Sequence, residues 1–234
     1  MTAKSAGKSS PAAISAATPS APDNTREKLL AAALEQFGEH GYDGATIRDI
    51  ARAARVNIAL VSYHFGSKEQ LYHELLRSLI PRRMQAGLDM LASTHGRARL
   101  RRPAPAEAVA MLKTLLAGFT ANVLSSRDIL LTARLLIREQ TRPTAGFNVV
   151  YTGGMETLHK TITRLLAIAG GRKPETHDSI IRAHMLIGQM LSFVFANAAI
   201  CRRLGKKSLD KRTLSAITAI LNENIDALAK PALP

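Results

Sequence analysis

Three helix-start signals lie in the first third of the chain, and they constrain its fold more than any other feature. Each begins with a residue whose side chain can accept a hydrogen bond from a backbone N–H. Each carries, three positions later, an acidic or amide side chain that can bond back. The signals are Asn24-Thr-Arg-Glu27, Thr46-Ile-Arg-Asp49 and Ser67-Lys-Glu-Gln70. They predict helices that begin near these positions.

Apolar residues after each signal recur at helical spacing. The first helix is expected to end where Gly41 and Gly44 interrupt it. Asn57 is the predicted N-cap of a further short helix that runs to about Phe65. Pro81 is expected to kink or interrupt the long fourth helix, because its ring clashes with the carbonyl four residues back. The predicted apolar faces are Leu29, Leu30, Ala33 and Phe37, then Ile47, Ile50, Ala51 and Ala54, then Leu71, Leu75 and Leu79.

Two short helices joined by a tight turn, with one helix before and one after, form a helix-turn-helix. Helices of about eight or nine residues are marginal alone, so their neighbours must hold their apolar faces. That support leaves the second short helix with a projecting face, which can enter a major groove about 12 Å wide. The N-terminal pattern therefore predicts a DNA-reading unit.

The rest of the chain also predicts helices. Trp is absent, aromatic residues make up 4% of the sequence, and Ala, Leu and Ile dominate, which suits helices better than a sandwich or barrel. We expect an all-α fold, with an N-terminal three-helix helix-turn-helix domain followed by a larger helical domain. Helical patterns recur over about 105–125, 126–140, 144–170, 176–202 and 209–229, with breaks at Pro143, Gly153-Gly154, Gly170-Gly171 and Gly205.

These patterns divide the chain into four predicted segments. Residues 1–23, rich in Ala, Ser and Pro, are expected to form a disordered tail. The helix-turn-helix domain covers 24–77, and a linking helix with an Arg-rich loop covers 78–104. The larger helical domain covers 105–230.

Cysteine content and hydropathy favour a cytoplasmic protein. Cys201 is the only cysteine, which excludes a disulfide framework and suits a reducing compartment. The tail lacks the continuous apolar stretch of a signal peptide. The most apolar later stretch, 185–201, is short and interrupted by polar residues, so we expect a buried helix and no membrane partner.

The formal net charge of +14 suggests a nucleic-acid partner, but the charge is unevenly distributed. Residues 26–77 contain seven Lys and Arg against seven Asp and Glu, which sum to zero. Residues 78–103 contain six Arg against Asp89 alone. Net charge therefore does not identify the reading unit, and the pattern of residues must do so.

Neither catalysis nor metal binding is predicted. The sequence has no Gly-x-Ser-x-Gly elbow, no phosphate-cradling glycine loop and no histidine-glutamate zinc motif. His177 and His184 could share a helix face, but no Cys or carboxylate completes a ligand spacing. We expect no enzyme activity, no metal and no cofactor.

The run from Thr46 to Tyr72, TIRDIARAARVNIALVSYHFGSKEQLY, resembles the DNA-binding signature of the TetR family. Its most specific part is Tyr63-His64-Phe65 followed by Lys68 and Leu71. With the first helix included, the resemblance spans about residues 25–75.

The C-terminal part is similar to the CecR-type ligand domain of that family, in IREQTRPTAGF (137–147) and HMLIGQMLSF (184–193). The resemblance implies a homodimer that reads a palindromic operator and releases DNA when a small molecule binds. The resemblance implies a repressor, and it implies that this repressor senses drugs or xenobiotics and is linked to efflux. Two alternatives are a constitutive DNA binder without a ligand and a small-molecule or protein-binding scaffold without DNA recognition.

The same resemblance implies which residues contact DNA. Arg48, at the start of the second helix, would reach a base or a phosphate. The residues that would face the groove are Asn57, Ile58, Ala59, Ser62 and Tyr63. Those that would hold phosphates, helped by helix N-termini, are Thr46, Tyr63, His64 and Lys68.

Two residues depart from the family pattern. Arg55 stands where Gly is usual in the turn, so either the turn avoids a left-handed backbone or Arg adopts one at some cost. Ser62 stands where Tyr is common, which removes an aromatic phosphate contact. The scaffold alternative is supported by these departures alone.

Two basic clusters lie outside the signature. Arg97, Arg99, Arg101 and Arg102 could contact flanking phosphates and steepen the salt dependence of binding, although a solvated interdomain loop is favoured. A second cluster, far along the chain, is assigned no site: Lys206, Lys207, Lys211 and Arg212.

A ligand pocket for a hydrophobic effector is predicted from apolar and polar residues of the larger domain, with plain core packing as the alternative. Arg138 and Glu139, if buried, must pair with each other or with a ligand, and a structural ion pair is favoured. The predicted pocket residues are Met111, Leu115, Phe119, Arg138, Phe147, Met155, Leu158, Met185, Gln189 and Phe193.

The last two helices are the predicted dimer interface, because their apolar content exceeds what one protomer needs. One stripe is Ala183, Ile187, Leu191, Val194 and Ala198, and the other is Leu214, Ile217, Leu221, Ile225 and Leu228. Two-fold pairing through these helices would mirror an operator palindrome.

Overall fold

The computed structural model describes residues 21–97, 101–123 and 127–230. These residues form helices and no strand, which confirms the all-α prediction. A π-helical segment, Tyr151–Met155, lies between the helices Ala145–Val150 and Glu156–Ala169. The α-helices are α1 (Ala21–Gly44), α2 (Ile47–Ala54), α3 (Ile58–Phe65), α4 (Lys68–His95), α5 (Pro105–Val123), α6 (Arg127–Thr141), α7 (Ala145–Val150), α8 (Glu156–Ala169), α9 (His177–Phe195), α10 (Asn197–Arg203) and α11 (Lys211–Leu228).

The N-caps of the helix-turn-helix are confirmed by their hydrogen bonds. Thr46 Oγ1 accepts from the backbone N–H of Asp49 at 3.1 Å, and Ser67 Oγ accepts from that of Gln70 at 3.1 Å. Asn57 Oδ1 accepts from the backbone N–H of Ala59 at 2.9 Å. Each bond satisfies a donor that the first turn of a helix leaves without an intrahelical partner.

The start of α1 differs from the prediction. Ala21 is already helical, so Asn24 lies inside the helix instead of capping it, and residues 21–23 do not belong to a disordered tail. Residues 1–20, the remainder of the predicted tail, lie outside the described residues. At the other end, Gly41 adopts φ 73° and breaks the helical geometry, as its position predicts.

The fourth helix is not interrupted at Pro81, which was one of the two outcomes expected there: α4 is continuous from Lys68 to His95. A proline inside a helix costs about 3 kcal/mol. Burial at both ends of α4 offsets this cost, because Leu76 lies in one hydrophobic core and Leu91 lies in another, and both are fully buried.

Two hydrophobic cores divide the structure. The first gathers α1 to α4, and it also contains Leu131 and Leu135 of α6 and Val150 of α7. The second joins Leu91 of α4 with α5, α8, α9 and α11. The helix-turn-helix therefore shares its core with helices from the larger C-terminal part.

A close approach of α1 and α6 joins the two parts. Gly38 is buried on α1, and a Cβ placed on it would lie 2.8 Å from Leu131 Cβ. Glycine is required here by space, because no side chain fits between the two helices.

The helix predicted over 144–170 is divided by the π-helical segment. Gly154 within that segment adopts φ 154°, a conformation that other residues rarely adopt. The glycine pair at 153–154 therefore marks a break, as the sequence indicates. The π-helical segment and α7 both pack against α4, the helix that leads out of the DNA-reading unit.

No single helix among the described residues is long and apolar enough to cross a membrane. The pair formed by α9 and α10 meets the length and composition criteria only when its two helices are joined, and they meet at a bend of 70°. Core helices of soluble proteins meet the same criteria.

Candidate nucleic-acid interface

Helix α3 presents one face to solvent and the opposite face to the first core. Val61 and Phe65 are buried and anchor the helix. Ile58 is 46% exposed and Tyr63 is 82% exposed, and Ala59 and Ser62 beside them are also exposed. An isoleucine and a tyrosine this exposed on a rigid helix gain little from their own fold, so this face suits contact with another molecule.

The turn between α2 and α3 resolves the question posed by Arg55. Its backbone is left-handed, with φ 57° and ψ 44°. Its N–H donates to the carbonyl of Arg52 at 3.1 Å, and the N–H of Val56 donates to that of Ala51 at 3.0 Å, which closes the helix end. A non-glycine residue in this conformation costs roughly 1–2 kcal/mol, so Arg55 occupies the turn under strain.

The residues expected at the start of α2 are accessible. Thr46, the N-cap, and Arg48 are exposed. Asp49 forms an ion pair with Arg52. Within the described part of the chain, Arg48 forms no ion pair, so its charge is available to an external anion.

Lys68, the first residue of α4, is partly exposed and sits against an aromatic ring. Its Nζ lies 4.7 Å from the centroid of the Tyr42 ring, a cation–π contact. The neighbouring His64 ring, also partly exposed, makes an edge contact with Tyr63 at 5.1 Å. Tyr42 was not predicted as a site residue, because it follows the helix-ending Gly41, and only the three-dimensional structure brings it to Lys68.

Some of the balanced charges of the reading unit are paired with one another. Glu74 accepts from Arg26 at 2.7 Å and from Arg77 at 2.6 Å, so this carboxylate is neutralised within the domain. Cationic side chains outside such pairs, such as that of Arg48, can face outward even though the charges of the unit sum to zero.

The Arg-rich loop is only partly described. Arg97, Arg101 and Arg102 are exposed, and Arg99 lies outside the described residues. The carbonyl of Arg101 accepts from Arg164 Nη2 at 3.1 Å, which ties this segment to α8.

The predicted ligand-pocket residues do not all meet in one place. Met111 and Leu115 are buried in the second core, and Leu158 and Phe193 pack against it. Met155 packs against the first core instead. The described residues also form a polar surface hollow of about 470 Å³ between α1 and α2, lined by Gln36, His40, Gly44, Asp49, Arg52 and Ala53.

The remaining predicted pocket residues lie in different settings. Phe119 and Phe147 are half-buried, and the Phe147 ring stacks on Tyr151 at 5.8 Å. Gln189 Oε1 accepts from Asn224 at 3.2 Å, and Met185 is exposed.

Arg138 lies at the junction of the two parts of the molecule. Its Nη1 donates to the fully buried Glu139 Oε1 at 3.0 Å, so the ion pair favoured by the sequence is confirmed. Its Nη2 also lies 3.5 Å from Asp43 Oδ2 on α1. Arg138 thus faces the helix-turn-helix instead of the second core that contains Met111.

The predicted dimer stripes lie largely inside the protomer. The core residues among them are Ala183, Ile187, Ile217, Leu221 and Ile225, and Val194 is buried as well. Leu191, Leu214 and Leu228 are half-buried, and Ala198 is exposed. Large apolar residues that are exposed on the same helices are Ile180, Ile181, Met185, Phe195 and Ile220. Sequence periodicity missed these, although a shift of the stripe by two residues along α9 would have found Ile181 and Met185.

Two family models match the chain. The model of bacterial regulatory proteins of the tetR family matches residues 29–75. The model of the C-terminal domain of the HTH-type transcriptional dual regulator CecR matches residues 108–230.

Relatives match over different lengths. The HTH-type transcriptional dual regulator CecR of Shigella flexneri is 30% identical over 214 residues, which cover 88% of this chain and 92% of that protein. The probable acrEF/envCD operon repressor of Escherichia coli strain K12 is 39% identical over 71 residues, 28% of this chain and 32% of that protein.

A solved structure supports the fold. The transcriptional regulator FadR of Bacillus subtilis, in complex with stearoyl-CoA, has a TM-score of 0.62 to this chain at 15% identity. The match covers 86% of this chain and 97% of that one.

The exposed recognition helix and these matches define a class: the protein is a helix-turn-helix, DNA-binding transcriptional regulator. The named relatives are transcription regulators, and the matching models describe no catalytic family. The chain belongs to the TetR family, with a C-terminal domain of the CecR type.

Proposed function

We propose that the protein is a ligand-responsive repressor that binds a palindromic operator as a homodimer. The observation that carries this proposal is the outward face of α3, where Ile58, Ser62 and Tyr63 are exposed while Val61 and Phe65 anchor the helix. Helix faces of this kind read base edges in the major groove, and phosphate contacts beside them fix the register. Because operators lie on the chromosome, the proposal includes a bacterial cytoplasmic location.

The phosphate contacts are proposed for Thr46, Tyr63, His64 and Lys68, and base contacts for Asn57, Ile58, Ala59 and Ser62. Arg48 serves either role. Exposure of Thr46 and Arg48 at the start of α2 supports this assignment, since a helix N-terminus attracts phosphate through its free N–H groups.

The homodimer is supported by apolar side chains left exposed on two C-terminal helices. Ile181 and Met185 of α9 are 59% and 56% exposed, and Ile220 of α11 is 57% exposed. Ile181 and Met185 are four residues apart and share one side of α9. We therefore assign the interface to these exposed residues, which lie on the same helices as the buried stripes. Burial of apolar surface is worth about 25 cal/mol per Å², which favours pairing.

The effector is proposed to be a hydrophobic small molecule. Phe119 on α5 and Phe193 on α9 are half-buried and offer apolar surface, and the amide of Gln189, on the same helix as Phe193, offers a polar group. FadR of B. subtilis, which has a similar fold, is seen with stearoyl-CoA. A ligand that prefers the DNA-incompatible state by about 1.4 kcal/mol would lower the affinity for DNA tenfold.

A second candidate is a regulator that both represses and activates. The relative that matches over most of this chain is named a dual regulator. Transcription of genes beside the chromosomal operator, compared with and without the protein, distinguishes the two candidates by the direction of each change.

Selection of duplexes from a random DNA pool tests the operator proposal. We expect palindromic sequences to be enriched, and we expect Tyr63→Ala and Lys68→Ala to weaken binding to them. Lys207→Ala is the matched control, because Lys207 is an exposed lysine outside the reading unit and should leave affinity unchanged. No enrichment at low salt would contradict DNA recognition.

A screen of hydrophobic compounds tests the effector. Compounds that raise the unfolding temperature should also lower the affinity for the selected duplex, because a ligand acts only through its preference for one state. If no compound changes either quantity, the protein is a constitutive DNA binder.

A further inference from the structure

The buried carboxylate of Glu139 joins the C-terminal part of the chain to the DNA-reading unit. Its Oε1 accepts from Tyr72 Oη at 2.9 Å, and its Oε2 accepts from the Thr144 backbone N–H at 3.1 Å and hydroxyl at 2.7 Å. Arg138 Nη1 is the remaining donor, and it donates to Glu139 Oε1 at 3.0 Å. A carboxylate with no exposed surface must be satisfied in this way, so its partners are held in fixed positions.

These partners come from different elements. Tyr72 belongs to α4, within the DNA-reading unit, and it is buried. Thr144 is the N-cap of α7 and accepts from the backbone N–H of Gly146 at 3.0 Å. Arg138 and Glu139 end α6. The hydrogen bonds of one carboxylate, Glu139, thus join α4 and α7 to α6.

Arg138 also contacts the aromatic ring that holds Lys68. The Arg138 guanidinium lies 5.1 Å from the Tyr42 centroid, and Lys68 Nζ lies 4.7 Å from the same centroid. The Tyr42 ring is held by Tyr72 at 5.0 Å and by Phe37 at 5.8 Å. A continuous set of packed groups therefore connects Glu139 to Lys68.

We propose that Arg138 and Glu139 are positioning residues for DNA binding, which act through Tyr42 and Tyr72 to hold the Lys68 ammonium at the phosphate-contacting surface. This inference rests on the proposed function, in which Lys68 contacts a phosphate. A movement of α6 away from α1 and α4 removes the contact of Arg138 with the Tyr42 ring and the hydrogen bond of Glu139 with Tyr72, and Lys68 then loses its defined position. Affinity falls without any change in the residues that read bases.

Salt dependence is the readout that separates positioning from general destabilisation. Each phosphate contact contributes about 0.9 to the slope of log affinity against log salt, so loss of one contact from each head of a dimer lowers that slope by roughly 2. We expect Lys68→Ala, Tyr42→Leu and Arg138→Ala to lower the slope alike, on the duplex selected by the wild-type protein. Tyr42→Phe, which keeps the ring, should retain the wild-type slope.

A double-variant experiment isolates the coupling. Arg138→Ala should weaken binding in the wild-type background and cause no further loss in the Lys68→Ala background, because the contact it supports is already gone. If Arg138→Ala lowers DNA affinity by the same factor in both backgrounds, the positioning role is wrong, although Lys68 can still contact a phosphate. If Lys68→Ala alone retains full affinity, the phosphate contact itself is wrong.

A measurement without DNA keeps the inference separate from the proposed function. Reductive ¹³C-methylation of lysines preserves their charge, and the Lys68 methyl resonance should be displaced by the Tyr42 ring current. That displacement should vanish in Tyr42→Leu and shrink in Arg138→Ala, and Arg138→Lys should restore part of it. The far-ultraviolet circular dichroism of each variant verifies folding. An unchanged Lys68 resonance in folded Arg138→Ala would refute the positioning role.

Discussion

Leu131 Cβ on α6 lies 2.8 Å from the position that a Cβ on Gly38 would occupy. Leu131 Cα lies 3.2 Å from the same position, so the obstacle includes backbone that cannot rotate away. We expect Gly38→Ala to lower the free energy of unfolding by about 1–3 kcal/mol, the usual cost of overpacking.

Gly87→Ala is the matched control for this substitution, since the nearest atom to its added Cβ is 3.7 Å away, an ordinary contact. Gly87 lies inside α4, and alanine there should raise the free energy of unfolding by up to about 1 kcal/mol. Urea denaturation measures both variants. Equal stability of Gly38→Ala and wild type would contradict the close approach of α1 and α6.

Arg55→Gly should stabilise the protein. Relief of the left-handed strain gains roughly 1–2 kcal/mol, and the greater freedom of glycine in the unfolded chain returns about half of it. The net gain of about 0.5–1 kcal/mol should appear as a higher unfolding temperature. Arg55→Ala removes the same charge but keeps the strain, so it should not share the gain.

Met185→Asp with Ile220→Asp should convert the proposed dimer into monomers. Each substitution places a charge on a side chain that is exposed in the protomer and apolar in the proposed interface, where an unpaired charge is costly. Sedimentation velocity reports the mass. Tyr63→Ala is the reciprocal control, which should keep the dimer and lose DNA. A dimer that survives both charges would assign pairing to another surface.

Acidification should destabilise the fold through His159. Burial, and then the charge of His184, lowers the pKa of His159 below its ordinary value of 6.5. The unfolded chain therefore binds this proton more readily than the folded protein does. The stability contribution of neutral His159 is present above pH 6.5 and declines as the pH falls through that value towards the folded pKa.

His159→Gln should flatten the dependence of unfolding free energy on pH between about 7.5 and 5.5, because glutamine does not titrate in this range. Urea denaturation at a series of pH values measures the slope. An identical slope in the variant would show that other groups cause the acid sensitivity.

The starts of α2, α3 and α4 could be predicted from sequence because local chemistry sets them. Thr46, Asn57 and Ser67 cap helices through side chains that reach only two or three residues along the chain. The recognition helix was predictable for the same reason, together with its signature. Pro81 shows the limit, since packing of Leu76 and Leu91 in two cores overrides a local rule.

Contacts between distant elements could not be predicted. Helix α9 is apolar on more than one side, so its periodicity does not reveal whether Ala183 and Ile187 or Ile181 and Met185 face the core. The hydrogen bond between Tyr72 and Glu139 joins residues 67 positions apart, and nothing in the sequence around either residue predicts the other as its partner. Only the packing of helices decides such pairs.

The shared first core has a consequence for engineering. Leu131, Leu135 and Val150 complete the apolar interior of the reading head, so a fragment that ends after α4 would expose that interior to water. Chimeras that attach this head to a foreign effector module must carry α6 and α7 with it. The portable unit of this regulator is larger than the part that touches DNA.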